Sequence, residues 1–378
     1  MSTLPIIDLD VFLHGEQAAR EAEAKKTAEA LIKYGALVVK DSRVSEQDNS
    51  VFLDLLEDYF AQPEQELKKD IRPEYGYQVG ATLENTEKPR CSLDTECHEL
   101  IASLEDSERP LDLTGEFKDP KCRFFWRMNK NELEELPEKA KETSAADSED
   151  PEAKFAILKA PNVVPAAFPD WKEKMEKWGN QMLTAVDDVN GMLAVGLGLP
   201  EDSLKKLARN GSHLLAPTST NLERYGRKGD IFAGFHSDLN YLTIHGRSRY
   251  PGLHIWARNS GKRIQVSMPP GHLLVQAGKQ LEHLTGGLIL AGFHEVVCTD
   301  GTIAAIERSK AQTPERPLYR ISSTFFYHLS PQEFIEPLQQ LEKQRQATIS
   351  ADRKSNKYEG MYVGELVQRE LQHIKLMA

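Results

Sequence analysis

Three residues in this chain have the types and the spacing to hold a transition-metal ion. They are His236 and Asp238 in Gly-Phe-His-Ser-Asp-Leu, and His294 in Ala-Gly-Phe-His-Glu-Val-Val. A strand repeats every two residues, so His236 and Asp238 can point to one side while a second strand delivers His294. Two imidazoles and a carboxylate on one face of an ion leave its other positions open, which suits an oxygen-activating iron(II). Further on, Arg320 and Ser322 lie in Pro-Leu-Tyr-Arg-Ile-Ser-Ser-Thr-Phe-Phe-Tyr, a strand-like run of β-branched and aromatic residues, and therefore share a face. A buried arginine needs an anion. Its planar fork fits a carboxylate in bidentate fashion, and a neighbouring hydroxyl adds a donor. An internal ion pair would satisfy Arg320; alongside the triad, the sharper reading is a pocket for the distal carboxylate of 2-oxoglutarate.

Such ligands need a rigid strand scaffold. Residues 214–294 give strand-like runs separated by Gly-Arg-Lys-Gly-Asp, Tyr-Pro-Gly, Asn-Ser-Gly-Lys and Pro-Pro-Gly turns, the spacing of an all-β barrel. Before it, residues 169–199 carry Trp178, Met182, Val186, Val189, Leu193 and Leu197 at intervals of three or four, which predicts a long helix cradling the barrel. Helix formers dominate 18–33, and the apolar pattern of 44–60 predicts a second helix packing on the sheet. Residues 138–152 are polar, acidic and aperiodic and read as a solvated inserted loop. Residues 302–310 read as a helical insertion, and 333–346 and 358–376 as C-terminal helices.

With 378 residues the chain can build one large domain or two modest ones without staples. Its cysteines, Cys91, Cys97, Cys122 and Cys298, show no Cys-x-x-Cys spacing, so neither a zinc site nor a disulfide framework is expected and a reducing compartment is. A net charge of −11 argues against a phosphate backbone as partner. No window has the length of a membrane span and the first residues form no secretion signal, so a soluble, cytoplasmic protein acting on a small molecule is expected, as a monomer or weak homo-oligomer.

Read together, these segments resemble the iron(II)/2-oxoglutarate-dependent dioxygenases, in particular the isopenicillin N synthase-like branch with the plant flavonoid and hormone oxygenases. Leu-Pro-Ile-Ile-Asp-Leu at 4–9 is similar to that family's opening strand, and Tyr34-Gly-Ala-Leu-Val-Val-Lys to its next. Phe60-Ala-Gln-Pro with Glu64, Glu66 and Lys68 resembles its Phe-Phe-x-Leu-Pro-x-Glu-x-Lys helix. Leu242-Thr-Ile, Gly252-Leu253 and Pro270-Gly271-His-Leu-Leu-Val follow in the family's order. The chain departs from the pattern at Gly278-Lys279-Gln280, where many members have Gly-Asp, and at His294-Glu295-Val296, where they have His-Arg-Val. The stretch between His294 and Arg320 is also longer than usual.

The resemblance implies a mainly β fold with flanking helices: a double-stranded β-helix, the jelly-roll or cupin-like core, with a helical N-terminal region and the cradle helix. It divides the chain into an N-terminal dioxygenase region (1–130), an acidic loop and cradle helix (131–212), the jelly-roll oxygenase domain (213–332) and C-terminal helices (333–378). It implies Fe(II) on His236, Asp238 and His294, 2-oxoglutarate as cosubstrate on Arg320 and Ser322, and O2. Tyr225, in Asn221-Leu-Glu-Arg-Tyr-Gly, stands where the family's tyrosine also reaches the cosubstrate. The implied reaction couples decarboxylation of 2-oxoglutarate to succinate with oxidation of a carbon–hydrogen bond. Hydroxylation, desaturation and oxidative ring closure of the β-lactam or kainoid type all remain open.

Two groups are candidates for touching substrate. Arg123-Phe-Phe-Trp-Arg127 is the densest aromatic and basic run, and Phe125, Trp126 and Arg127 could grip an apolar body with an acidic group, although an arginine-flanked core strand explains the run equally well. His283, in Gln280-Leu-Glu-His-Leu, falls where the family places residues near substrate. A scaffold that has lost its chemistry is an alternative of another class. A zinc hydrolase with the same ligands would have no use for Arg320.

Overall fold

The computed structural model describes residues 3–87, 91, 94–114, 119–128, 154–348 and 358–373. The acidic stretch at 138–152 lies outside them. In chain order the strands are β1 (Ile6–Asp8), β2 (Ala36–Lys40), β3 (Gly80–Thr82), β4 (Cys122–Arg127), β5 (Leu214–Leu215), β6 (Thr218–Asn221), β7 (Ile231–Ser237) and β8 (Leu242–His245). They continue with β9 (Leu253–Trp256), β10 (Arg263–Gln265), β11 (His272–Ala277), β12 (Phe293–Val297), β13 (Tyr319–Ser322), β14 (Thr324–Tyr327), β15 (Phe334–Ile335) and β16 (Met361–Tyr362).

Two sheets form the jelly roll. The larger runs β1-β2-β11-β8-β14-β5-β4-β6-β13, with β3 added to β4; the smaller runs β10-β9-β12-β7. Apart from the parallel β1–β2 pair, the ladders of both sheets are antiparallel, and residues from each line one cavity between them. The expected N-terminal region is therefore woven into the barrel: β2 pairs with β11, Ala36 opposite Gln276, and β4 pairs with β5 and β6.

The outer face of the larger sheet is covered by helices whose apolar stripes follow the helical period. The predicted cradle is the helix Trp171–Gly196, burying Trp171, Met175, Trp178, Met182, Val186 and Val189 on one side. The helices Gln17–Tyr34 and Glu46–Phe60 match the segments expected at 18–33 and 44–60, the second capped by Ser45 on the Asp48 N–H. The expected insertion near 302–310 is the helix Asp300–Gln312, started by reciprocal bonds between Thr299 and Thr302. The C-terminal segments are not wholly helical. β15 and β16 pair first, Phe334 opposite Tyr362, and helices follow at Gln339–Thr348 and Val363–His373.

Trp178 ties the cradle to the site. It is 1% exposed, stacks with Phe52 at 5.9 Å, and donates from Nε1 to Ser323 Oγ at 2.6 Å, beside Ser322 and Thr324. Trp178→Ala is expected to cost about 3–5 kcal/mol through the cavity it leaves, read as a lowered midpoint in urea unfolding; an unchanged midpoint would take the cradle out of the core.

Cys91 and Cys97 lie against each other at the start of the helix Thr95–Ser103. Cys122 and Cys298 are free. Among the described residues no helix is long and apolar enough to cross a membrane.

Candidate metal centre

His236 sits near the end of β7 and Asp238 one residue beyond it, while β12 brings His294 directly opposite His236. The ladder then slips at a bulge between His294 and Val296. Asp238 Oδ1 lies 3.7 Å from His236 Nε2 and 4.0 Å from His294 Nε2, and ligand atoms of all three residues fall within 4.8 Å of one another. These separations are too long for hydrogen bonds, yet two metal–ligand bonds of ~2.0–2.2 Å would span them. The side chains thus fit a single ion.

For two of them, His236 and Asp238, neighbours fix which atoms face it. His236 Nδ1 donates to the Gly234 carbonyl at 2.6 Å, leaving the Nε2 lone pair for a metal. Burial, and then the neighbouring His294, push the His236 pKa down to about 3, so the ring is neutral. Thr243 donates to Asp238 Oδ2 at 2.7 Å and leaves Oδ1 toward the imidazoles. Burial acts to raise the Asp238 carboxyl, but the two imidazoles and the Thr243 hydroxyl outweigh it and hold it below the usual value.

Gly278 positions the Asp238 loop. Its N–H donates to the Tyr241 carbonyl at 3.0 Å, and the next N–H, of Lys279, donates to the Asp238 carbonyl at 2.9 Å. A Cβ at 278 would run into the Asn240 carbonyl oxygen. Gly278→Ala is therefore expected to displace Asp238 and weaken iron(II) binding ~10–100-fold, the size of effect typical of lost ligand support. An anaerobic iron titration checks this, and undiminished affinity would show that the loop yields without moving the ligand.

The unusual residues in this region are structural anchors. Glu295 accepts from the N–H groups of Leu111 and Asp112 at 3.1 and 2.7 Å, pinning an N-terminal segment to β12. Gln280 accepts from the Leu329 N–H at 3.0 Å and contacts His328 Nδ1 at 3.1 Å.

Arg320 is 5% exposed on β13. Its Nε donates to the Tyr250 carbonyl at 3.1 Å and its Nη1 to Ser322 Oγ at 2.6 Å. Among the described residues it has no ion-pair partner, and burial, unopposed by any carboxylate, lowers its pKa to about 10. Ser322 lines a cavity of about 210 Å³ that also holds His236, Asp238 and His294. The internal ion pair that sequence left open is not formed, and the arginine presents the requirement a carboxylate ligand would satisfy. From the same larger sheet, His245 and Thr324 complete this part of the cavity. Burial keeps His245 neutral, with a pKa near 3, between Gln276 and Thr324.

The other candidates separate. Phe125 lines the cavity, whereas Trp126, 1% exposed, points the other way into the core. Strand alternation is the reason, since neighbours on β4 face opposite sides, and Arg123, Phe125 and Arg127 share the other side. Arg127 borders a smaller adjoining hollow and donates to the Gln78 carbonyl at 3.3 Å. Tyr225 is not brought to the cavity: Asn221 caps the short helix Leu222–Tyr225, and the Tyr225 hydroxyl donates to Glu84 at 3.2 Å. His283 is also elsewhere, packed edge-on against Tyr358.

The cavity also contains a group of four charges, three of which, Asp119, Lys121 and Arg123, recur every second residue while Glu87 comes from another segment. Glu87, Asp119, Lys121 and Arg123 lie along one wall. Val367, Glu370 and Leu371, from the last helix, line another part.

Comparison with known proteins agrees with this arrangement. Residues 4–110 match the family described as the N-terminal region of the non-haem dioxygenase in morphine synthesis, and residues 218–329 match the 2OG-Fe(II) oxygenase superfamily. Azadirone synthase of Melia azedarach is 29% identical over 161 residues, 40% of this chain and 48% of that protein. Leucoanthocyanidin dioxygenase 1 of Oryza sativa subsp. indica is 28% identical over 140 residues, 34% of this chain and 36% of that one. The chain thus spans half or less of the length of these curated relatives. Among solved structures, a 2OG-Fe(II) oxygenase family protein of Caulobacter crescentus superposes with a TM-score of 0.67 at 19% identity, covering 99% of this chain and 100% of its own. A full-length Neurospora crassa protein, solved in complex with alpha-KG, gives 0.67 at 17% identity, covering 98% and 96%. Both family regions match in order, consistent with the isopenicillin N synthase-like branch, and the chain belongs to the 2OG-Fe(II) oxygenases, enzymes that work with iron(II) and 2-oxoglutarate.

Proposed function

We propose that this chain oxidises an unactivated carbon–hydrogen bond of a small-molecule metabolite, by hydroxylation, coupled to decarboxylation of 2-oxoglutarate to succinate. The observation that carries this reading is Arg320, a buried cation without an acidic partner among the described residues, joined through Ser322 to the cavity of the metal-ligand triad. His236, Asp238 and His294 would hold the iron, and Arg320 with Ser322 would take the distal carboxylate of the cosubstrate. When bound, iron(II) and 2-oxoglutarate supply the oxidising chemistry with O2. The chain's own part is placement: Gly234 and Thr243 orient two ligands, and Phe125, Leu214 and Phe326 give the cavity apolar walls that exclude water.

Solved structures of the same fold that hold small molecules, thymine in the Neurospora protein and JA in JOX2, support a substrate of that size. The net charge of −11 supports a partner other than nucleic acid. The test is an anaerobic titration with iron(II) and then 2-oxoglutarate, watching for the metal-to-keto-acid charge-transfer band. Its appearance, followed by succinate on admitting oxygen, supports the reading; its absence moves the chain to the scaffold alternative.

A further inference from the structure

His328, one residue beyond β14, has no part in holding iron or 2-oxoglutarate, yet the fold turns its ring into the cavity. Alternation along β14 puts Thr324, Phe326 and then His328 on the cavity side, while Phe325 and Tyr327 enter the core. The His328 backbone N–H donates to His213 Nδ1 at 3.1 Å, which fixes the chain at this point. His328 also borders the smaller hollow, as do Gln78, Leu214 and Val367, so it stands where the two spaces meet.

Gln280 determines which ring nitrogen carries the hydrogen. Its Oε1 accepts from the Leu329 N–H at 3.0 Å, and a backbone N–H can only donate, so the amide NH2 is the group that lies 3.1 Å from His328 Nδ1. That NH2 has no lone pair to offer, and Nδ1 is therefore the acceptor. Burial, and then the neighbouring His213, push the His328 pKa down to about 3, so the ring is neutral and its single N–H is at Nε2. Among the described residues Nε2 has no hydrogen-bond partner. It is open to the cavity, whereas His283 Nε2 is sealed. Gln280 also ties this donor to the metal centre, since its own backbone N–H donates to the carbonyls of Leu239 and Asn240, the residues that follow Asp238, at 3.2 Å each.

We propose that His328, oriented by Gln280, is a specificity-determining residue that donates from Nε2 to an acceptor atom of the substrate and so sets which carbon faces the triad. The substrate class is a small molecule with an apolar body, packed on Phe125, Leu214 and Phe326, and a hydrogen-bond acceptor at the His328 end. A wholly apolar ligand would expel the water that can reach Nε2 and leave the N–H unpaired, which is costly. The assignment rests on the oxygenase reading above, and it gives His328 the substrate contact that the sequence suggested for His283.

The test is calorimetry on the anaerobic protein loaded with iron(II) and 2-oxoglutarate, comparing 1-indanone with indane, which has the same carbon frame without the acceptor. The quantity read is the ratio of the two affinities in wild type and in variant, so that the different hydrophobicities of the probes cancel. In His328→Phe, which keeps a ring but no N–H, the ratio is expected to shift about fivefold toward indane, the size of one neutral hydrogen bond. Should that variant fail to fold because Gln280 loses its acceptor, His328→Asn carries the same expectation: its side-chain oxygen can take the Gln280 bond, while its shorter arm withdraws the N–H from the cavity. Failure of 1-indanone to bind the wild-type chain, or an unchanged ratio in a folded variant, overturns the proposal. Loading is scored separately by the charge-transfer band. Failure to load overturns the oxygenase reading and this proposal with it, whereas normal loading with an unchanged ratio overturns this proposal alone.

Discussion

Asp238→Ala is expected to lower iron(II) affinity by more than ~100-fold, beyond the range seen when only a ligand's supporting contact is lost, and to abolish succinate formation. The carboxylate is the one anionic donor of the three, and its Oδ1 is the atom that both imidazoles approach. The fold is expected to survive. Thr243 loses an acceptor but keeps Asn240 Oδ1 at 3.1 Å, and removing a buried carboxylate also removes its desolvation cost. Anaerobic iron titration and thermal melting, run on the same sample, separate the two effects. His236→Ala and His294→Ala are expected to behave alike, and full activity in any of the three would remove that residue from the triad.

The second large effect is at Arg320, where affinity and stability are expected to part. Arg320→Gln should raise the 2-oxoglutarate requirement about 100-fold or more, since a buried carboxylate loses several kcal/mol without its charged partner, while iron affinity stays close to wild type. In the absence of 2-oxoglutarate, the variant is expected to be no less stable than wild type. The arginine is buried without an acidic partner among the described residues, so the neutral side chain relieves a desolvation penalty. An arginine serving an internal salt bridge would show the opposite pattern: lower stability and an unchanged cosubstrate requirement. Steady-state kinetics in 2-oxoglutarate and urea unfolding without it distinguish them.

What could be read from the sequence follows from local period. His236, Asp238, Arg320 and Ser322 were legible because two-residue spacing in strand-like runs fixes a shared face, and the cradle helix because its apolar stripe recurs through Trp178, Met182 and Val186. The same rule shows why Trp126 was misplaced: as a cluster, Arg123 to Arg127 looks like one surface, but as a strand it presents two. The charged wall was legible only in part: the same rule could have grouped Asp119, Lys121 and Arg123, but Glu87 belongs to another segment, brought alongside by the pairing of β3 with β4 and by the bond from the Asn85 N–H to the Asp119 carbonyl. Thr243 could have been noticed, since it precedes Ile244 in the same motif that suggested the family. The departure of Tyr225 toward Glu84 depends on a one-turn helix capped by Asn221, too short to leave a periodic signal.

The pairing of β2 with β11 has a consequence for how the molecule comes into being. Ala36 must wait for Gln276 before that ladder can form, and His236 must wait for His294. Contacts between residues so far apart in the chain are slow to close, so during synthesis the first strands emerge with their hydrogen-bonding edge unsatisfied and the metal ligands come together late. For the same reason, residues 213–332 expressed alone would present the β11 edge bare, an invitation to pair with another molecule. Iron binding is thus expected only once His294 has been made and paired opposite His236, and an excised jelly roll is expected to aggregate rather than to serve as a minimal enzyme.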